Sequence, residues 1–150
     1  MIPLTTLFVV GLPKGQPRPR AFAMKTKGGG YTARVFDAGT AEGWKSQIAM
    51  TWKGVVPKMP TITEPVALFL TFYMPRPKAH STKKGLRPDA PRWCATKPDA
   101  DNLAKAVMDC LSTISVWQDD DQVVVLQSEK KYADNGETGV EIILCEPVEE

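Results

Sequence analysis

The chain has 150 residues, 43% of them hydrophobic, which suffices for one globular domain with a substantial apolar core. The longest apolar run near its start, residues 7–10, is far shorter than the roughly 20 residues of a membrane span. No basic segment precedes that run as in a signal peptide, so we expect a soluble, intracellular protein without a membrane segment. The three cysteines form no CxxC pair, which argues against a disulfide framework and a structural zinc site.

The net charge of +2 conceals a strong division along the chain. Residues 1–98 contain 16 Lys and Arg against 4 Asp and Glu, whereas residues 99–150 contain 3 against 13. A basic surface next to a concentrated acidic site suits an enzyme that binds a polyanion and cuts it with metal ions. The alternative is that the two halves simply neutralise each other within one fold.

The first half of the chain predicts two β segments, a helix and a buried strand. Residues 4–10 predict a first strand, and the glycine run 28–30 predicts a loop within a loose hairpin that ends with residues 31–36. Apolar residues at helical spacing predict an amphipathic helix over about 40–53. Residues 66–74 alternate at period two with mainly apolar residues between, which predicts a central strand.

The second half begins with residues 76–97, which contain seven Lys and Arg, one Asp and several prolines. This composition predicts a long, mobile, basic loop without helix or strand. The next apolar stripe predicts a helix that begins near Asn102. Residues 122–132 and 140–145 are expected to pair as a closing hairpin across an Asp-Asn-Gly turn.

The resulting order, ββαβ, long loop, αββ, predicts an α+β fold in a single domain over residues 1–150, with two main helices packed on a mixed or antiparallel sheet. Trp44, Trp52 and Trp117 are expected in its core, and so are Cys110 and Cys145. Trp93, in the basic loop, is a candidate for stacking on a nucleic-acid base.

Several carboxylates gather at the start of the second predicted helix and in the loop after it. If residues 99–101 are extended, Asp99 and Asp101 project from one face and can reach one metal ion. The run from Asp119 to Asp121 can supply a third and a fourth ligand. Oxygen ligands without histidine favour Mg²⁺ or Mn²⁺ over zinc. Lys105, one turn further along, faces back toward Asp101, where its ammonium can touch a phosphate or orient the attacking water.

Each of these residues also has a simpler interpretation. An aspartate before a helix is commonly an N-cap, and consecutive aspartates commonly form a solvated turn. Lys105 and Asp109 are spaced to pair on a helix surface. His80, the single histidine, is a weak candidate for a catalytic base. An EF-hand is excluded because Leu103 and Ala104 stand where it requires Asp or Asn and then Gly.

These residues resemble one family, the RusA-type Holliday junction resolvases. The resemblance is carried by the pattern Asp99-x-Asp101-Asn102-Leu103-x-Lys105-x-x-x-Asp109, followed by Trp117-x-Asp119-Asp120-x-Gln122-Val123. The segments Gly11-x-Pro13 and Arg18-Pro19-Arg20 resemble the N-terminal signature of the family. The resemblance covers roughly residues 7–145, and its specific core is residues 98–131.

The resemblance implies that Asp99, Asp101, Asp120 and Lys105 are catalytic and that the three aspartates bind metal, assisted by Asp119. It also implies a homodimer, cytoplasmic in a bacterial or phage-infected cell, that resolves four-way DNA junctions with paired symmetric nicks in recombination and repair. Mg²⁺ is the implied cofactor, with Mn²⁺ as a substitute. Asp121 occupies a position that is often uncharged in relatives, so the third ligand can shift by one residue.

The hypothesis is therefore in-line phosphodiester hydrolysis with metal ions held by the aspartates, while Lys105 neutralises charge on the phosphate. The candidates for phosphate contacts are Arg18, Arg20, Lys83, Lys84 and Arg87. One alternative is a flap or single-strand metal nuclease on the same scaffold. Another is a junction-binding protein without catalysis.

Overall fold

The structure, a computed structural model, describes residues 1–17, 20–25, 27–29, 31–36 and 41–148, with the backbone alone for 20–25 and 31–36. The strands and helices are β1 (Ile2–Val10), β2 (Arg20–Lys25), β3 (Tyr31–Phe36), α1 (Glu42–Val55), β4 (Val66–Met74), β5 (Ser81–Thr82), β6 (Gly85–Leu86), α2 (Ala100–Thr113), β7 (Val123–Tyr132) and β8 (Gly139–Glu146). Two short 3-10 helices, Lys78–His80 and Asp120–Gln122, precede β5 and β7. The predicted α+β class is confirmed, and β2 and β3 form the predicted hairpin.

The main sheet has four strands in the order β1-β8-β4-β7. β8 runs antiparallel to both β1 and β4, whereas β7 runs parallel to β4 at the edge. The sheet is therefore mixed, but the prediction that β7 and β8 form a hairpin is wrong. β8 turns the fully buried Val140, Ile142 and Leu144 into the core and takes an interior place. β7 is half-exposed over most of its length and takes the edge, a difference that a local turn signal cannot reveal.

One continuous core joins the sheet to both helices. β4 contributes Leu68, Leu70 and Phe72, while the residues between them are only half-buried. All three predicted core tryptophans are buried, as are all three cysteines, which are unpaired. Burial raises the pKa of the Cys110 thiol to about 11, so this cysteine is a neutral core residue at physiological pH. No helix in the described part of the chain is long and apolar enough to span a membrane.

The long basic loop contains a 3-10 turn and the small β5–β6 hairpin, so the prediction that it lacks helix and strand is wrong in these two places. Its base is fixed by Arg76, whose guanidinium donates to the Ala133 carbonyl at 2.9 Å, the Pro91 carbonyl at 2.7 Å and Asp134 Oδ1 at 2.9 Å. The same guanidinium lies 5.2 Å from the ring centroid of Tyr132, within cation–π range. Arg76 thus holds the base of the loop in place, while the six other Lys and Arg residues of the loop are exposed.

Candidate active site

The first acidic segment, which contains Asp99 and Asp101, lies at the amino end of α2. Asp99 is the extended N-cap residue, but its side chain makes no capping hydrogen bond. Asp101 lies inside the first helical turn, and its Oδ1 accepts a hydrogen bond from the Asn102 N–H at 2.8 Å. The expectation that residues 99–101 are extended is therefore wrong for Asp101, because the helix begins at Ala100. An acid in the first turn is favoured by the positive end of the helix dipole, and both carboxylates are exposed there.

The second acidic segment is the 3-10 helix directly before β7. Asp119 caps this helix, since its Oδ1 accepts from the Asp121 N–H at 3.3 Å. Asp120 has a different environment: its Oδ1 accepts a hydrogen bond of 2.9 Å from the indole Nε1 of the fully buried Trp117. Asp121 is exposed. Of the three consecutive aspartates, Asp120 is the one whose side chain the core orients.

Gln122 fastens this acidic segment to the chain that leads into β4. Its Oε1 accepts from the N–H groups of Gln118 at 2.8 Å and Asp119 at 3.0 Å. Its Nε2 donates to the carbonyls of Ile62 at 2.9 Å and Glu64 at 3.1 Å. Both donors and both acceptor sites of the amide are used, so this side chain links the second acidic segment to the backbone that precedes β4. Sequence reasoning included this glutamine in a pattern but gave it no role.

β7 connects the two acidic segments. The Ser128 hydroxyl donates to the Ala100 carbonyl at 2.9 Å, and Lys130 Nζ donates to the carbonyls of Pro98, at 2.8 Å, and Thr96. Ser128 and Lys130 point the same way because residues two apart share one face of a strand. β7 therefore holds the first acidic segment and directly follows the second, which Gln122 holds. Sequence reasoning missed these residues, whose signal is polar side chains on a face that should otherwise be apolar.

Two charged residues of α2 have different environments. Lys105 is exposed one turn after Asp101, on the same face, and within the described residues it has no ion pair. Asp109 pairs instead with Lys45 of α1, with 2.8 Å between Nζ and Oδ2. The alternative of a Lys105–Asp109 surface pair is therefore wrong. Asp109 joins the two helices, whereas the ammonium of Lys105 faces solvent.

The N-terminal basic segment, residues 14–20, contacts the same end of α2 through Gly15 and Gln16. The Gln16 N–H donates to the Asn102 carbonyl at 3.1 Å, and a Cβ added at Gly15 would collide with the Asn102 amide. This contact carries the chain toward the basic residues that follow. Arg18 lies outside the described residues, and Arg20 belongs to β2, for which only the backbone is described.

Replacing Gly15 with alanine is expected to lower the free energy of unfolding by about 1–3 kcal/mol, the usual effect of overpacking. The added methyl group must displace Asn102 or the segment that contacts it. Urea unfolding measures the change, with Gly28→Ala as the control, because Gly28 lies outside the helices and nothing lies within 4 Å of a Cβ there. Equal stability of the two variants would contradict the close contact.

The basic loop presents its charges beside a structured base. Lys83 and Lys84 form the exposed turn between β5 and β6, and the Arg87 N–H donates to the His80 carbonyl at 2.8 Å. The ring of His80 packs edge-on against Tyr132 with 4.9 Å between centroids. His80 therefore has a packing role at the base of the loop.

Trp93 is 57% exposed and pairs in register with Lys131 of β7, whose Nζ lies 5.2 Å from its ring centroid. Directly opposite residues share one face of a sheet, and Lys131 lies on the face opposite to Lys130. Trp93 thus lies on the other side of β7 from the side chains that hold the first acidic segment.

The donor chemistry of the acidic segments fits a hard divalent cation, since all the donors are carboxylate oxygens. Within the described ranges, no group of three or more histidine, cysteine, aspartate or glutamate side chains is arranged to hold a metal ion. Mg²⁺ commonly binds through one or two carboxylates, with waters and substrate phosphates as further ligands. The exposed carboxylates of either acidic segment suit that mode in their chemistry, but the structure does not bring Asp99, Asp101 and Asp120 together as one set of ligands. The ligand roles of these three residues, and of Asp119, stay predictions.

Comparison with known proteins shows the family to which this chain belongs. The family model described as endodeoxyribonuclease RusA matches residues 11–143, a range that contains both acidic segments, β7 and the basic loop. The chain belongs to the RusA endodeoxyribonuclease family, and the family resemblance is confirmed. A protein of Bacillus subtilis (strain 168), the uncharacterized YqaN, is 32% identical over 141 residues, which are 92% of this chain and 93% of that protein.

Proposed function

We propose that this protein is a metal-dependent endonuclease that resolves four-way DNA junctions in recombination and repair. One observation supports this most: in a chain of an endodeoxyribonuclease family, two acidic segments distant in sequence are each held by side-chain hydrogen bonds, the first by Ser128 and Lys130 of β7 and the second by Gln122. The 3-10 helix of the second segment lies beside α2, which carries the first. Asp99, Asp101 and Lys105 are exposed, so that both a cation and a DNA strand can reach them.

In this proposal Asp99, Asp101 and Asp120 hold Mg²⁺ or Mn²⁺, and Asp119 lies adjacent. Such an ion would supply Lewis-acid stabilisation of the phosphate and an activated water. Lys105 contacts the scissile phosphate with its exposed ammonium, which neutralises charge as it builds in the transition state. The buried Trp117 and the hydrogen bonds of Gln122 keep the second acidic segment in place.

Phosphate contacts outside the site are assigned to the basic residues. Arg18, Arg20, Lys83, Lys84 and Arg87 would bind the DNA arms. A groove of about 380 Å³ between the N-terminal segment and the start of the first acidic segment is lined by Lys14 and Lys97, among others. The groove extends the positive surface toward the exposed carboxylates, so that the backbone approaching them meets cations first.

The double variant Lys83→Ala/Lys84→Ala is expected to reduce the dependence of junction affinity on salt. Each phosphate contact contributes about 0.9 to the slope of log K against log [salt], so a slope smaller by about 1–2 is expected. Titrations of a labelled junction at several salt concentrations measure it. The control is Lys53→Ala/Lys58→Ala, which removes the same charge from other exposed positions. A slope equal to that of the control would remove the loop residues from the interface.

A homodimer fits this function. A four-way junction has approximate two-fold symmetry, and a two-fold dimer places one active site on each of two opposed strands. Sedimentation analysis with and without junction DNA tests this, and a monomer in both conditions would contradict paired nicking. The place of action we propose is the cytoplasm of a bacterial or phage-infected cell.

The central experiment compares cleavage of a four-way junction, a flap, a duplex and a single strand with and without Mg²⁺. Paired symmetric nicks confined to the junction and dependent on Mg²⁺ are the expected result. Preference for the flap or the single strand would favour a different metal nuclease on this scaffold. Tight junction binding without nicking would favour the non-catalytic alternative.

A further inference from the structure

We propose that Trp117 is a positioning residue for Asp120: its indole N–H holds one carboxylate oxygen in place and leaves the other to bind the metal ion. This inference rests on the proposed function, because it concerns how the same site holds its ion. It is carried by the hydrogen bond of 2.9 Å between Trp117 Nε1 and Asp120 Oδ1. Neither the pattern of acids nor the family resemblance assigns a role to this tryptophan.

The indole is held rigidly. Trp117 is fully buried and forms a parallel bridge with Ile62, whose N–H donates to the Val116 carbonyl at 2.9 Å. Protein interiors are packed too densely for a ring of this size to turn freely. The direction of its N–H is therefore set by the core and does not depend on what occupies the site.

The hydrogen bond restricts the rotation of the Asp120 carboxylate. A half-exposed aspartate can otherwise rotate and present either oxygen, and ordering it on binding costs conformational entropy. A hydrogen bond to a carboxylate is charge-assisted and stronger than a neutral one, so it can fix the group beforehand. Groups that orient metal ligands in this way typically contribute 10–100-fold to metal affinity or activity.

Trp117 and Gln122 act on different parts of the segment. Gln122 binds only backbone groups, so it fixes where the 3-10 helix lies. Trp117 binds the carboxylate itself and so fixes how Asp120 points. A change at Trp117 should therefore weaken metal binding without moving the chain that carries the ligand.

The protein also offers a matched control. Trp44 is a second buried tryptophan, and within the described residues its Nε1 has no hydrogen-bond partner. Trp44→Phe and Trp117→Phe thus make the same change in the same core, but only the latter removes a hydrogen bond to a proposed ligand. The difference in Mn²⁺ affinity between the two variants therefore measures the effect of the N–H group separately from the loss of packing.

The test is to measure Mn²⁺ binding by electron paramagnetic resonance, junction binding in EDTA and junction nicking, all with the full chain. Trp117→Phe is expected to raise the Mn²⁺ dissociation constant about 10-fold or more, to retain junction binding, and to regain nicking at high Mn²⁺. In an Asp120→Asn background the same change should have no further effect on Mn²⁺ affinity. Trp44→Phe should match the wild type in Mn²⁺ affinity.

Equal Mn²⁺ affinities of the two Trp→Phe variants would overturn the positioning role while leaving the proposed function standing. A wild type that neither binds Mn²⁺ nor nicks junctions would overturn both. If Trp117→Phe does not fold, the indole N–H resonances of the wild type and Asp120→Asn decide the matter. One resonance must shift when the carboxylate is neutralised, and four unshifted indole signals, one from each tryptophan, would contradict the contact.

Discussion

Asp101→Asn is expected to lower the rate of junction nicking by about 10²–10³-fold while leaving the fold intact. Asparagine keeps the size of the side chain, and its Oδ1 can still accept the Asn102 N–H. It removes the negative charge that a divalent cation requires at the amino end of α2. Single-turnover cleavage of a synthetic four-way junction in Mg²⁺ measures the loss.

The control is Asp109→Asn, an equal change two turns further along α2. Asp109 pairs with Lys45, and the amide oxygen of asparagine can still accept a hydrogen bond from that ammonium. The change should therefore cost about 1 kcal/mol of stability and leave nicking nearly unchanged. Undiminished nicking by Asp101→Asn would end its assignment as a ligand. Equal losses in both variants would point to a disturbed helix and not to a lost carboxylate.

Lys105→Met is expected to reduce nicking by about 10²-fold with little effect on stability or on junction affinity. The ammonium is exposed and, within the described part of the chain, bridges no acid, so the folded state does not depend on its charge. Methionine retains much of the aliphatic stem and the helix propensity. The contribution of the charge falls on the transition state, so the loss should appear in the rate at saturating enzyme.

Lys53→Met provides the comparison, because Lys53 is likewise exposed and lies near the end of α1. A loss confined to the Lys105 variant assigns the effect to its position, whereas similar losses in both would reduce it to general electrostatic attraction. Raising the salt concentration separates these outcomes further, since screening weakens a general attraction more than a direct contact.

The sequence predicted those elements whose signal is local and strong. The period-two pattern of residues 66–74 coincides with β4, and the helical spacing of apolar residues located α1 to within two residues at each end. β7 follows the acidic run as expected, although the run itself lies in a 3-10 helix where a loop was predicted. In β4 and α1 the residues that make the pattern are the ones buried, so pattern and structure have the same physical cause.

What the sequence did not predict depends on partners distant along the chain. The parallel pairing of β7 with β4 replaces the nearby hairpin because β8 buries five of its residues and takes an interior place, whereas β7 buries only one. Asp109 pairs with Lys45, which lies 64 residues earlier in the chain. No spacing rule within α2 can predict this pairing. The bond between Trp117 and Asp120 spans only three residues, but it depends on the core that holds the indole.

The position of β7 along the chain bears on when activity can arise during synthesis. A nascent chain that ends at Asp120 already contains every proposed ligand and Lys105. It lacks Ser128 and Lys130, which hold the first acidic segment, and Gln122, which fastens the second. The ribosome therefore synthesises the proposed ligands before the residues that hold them in place. An unfinished chain thus carries the reactive groups without the geometry to cut DNA.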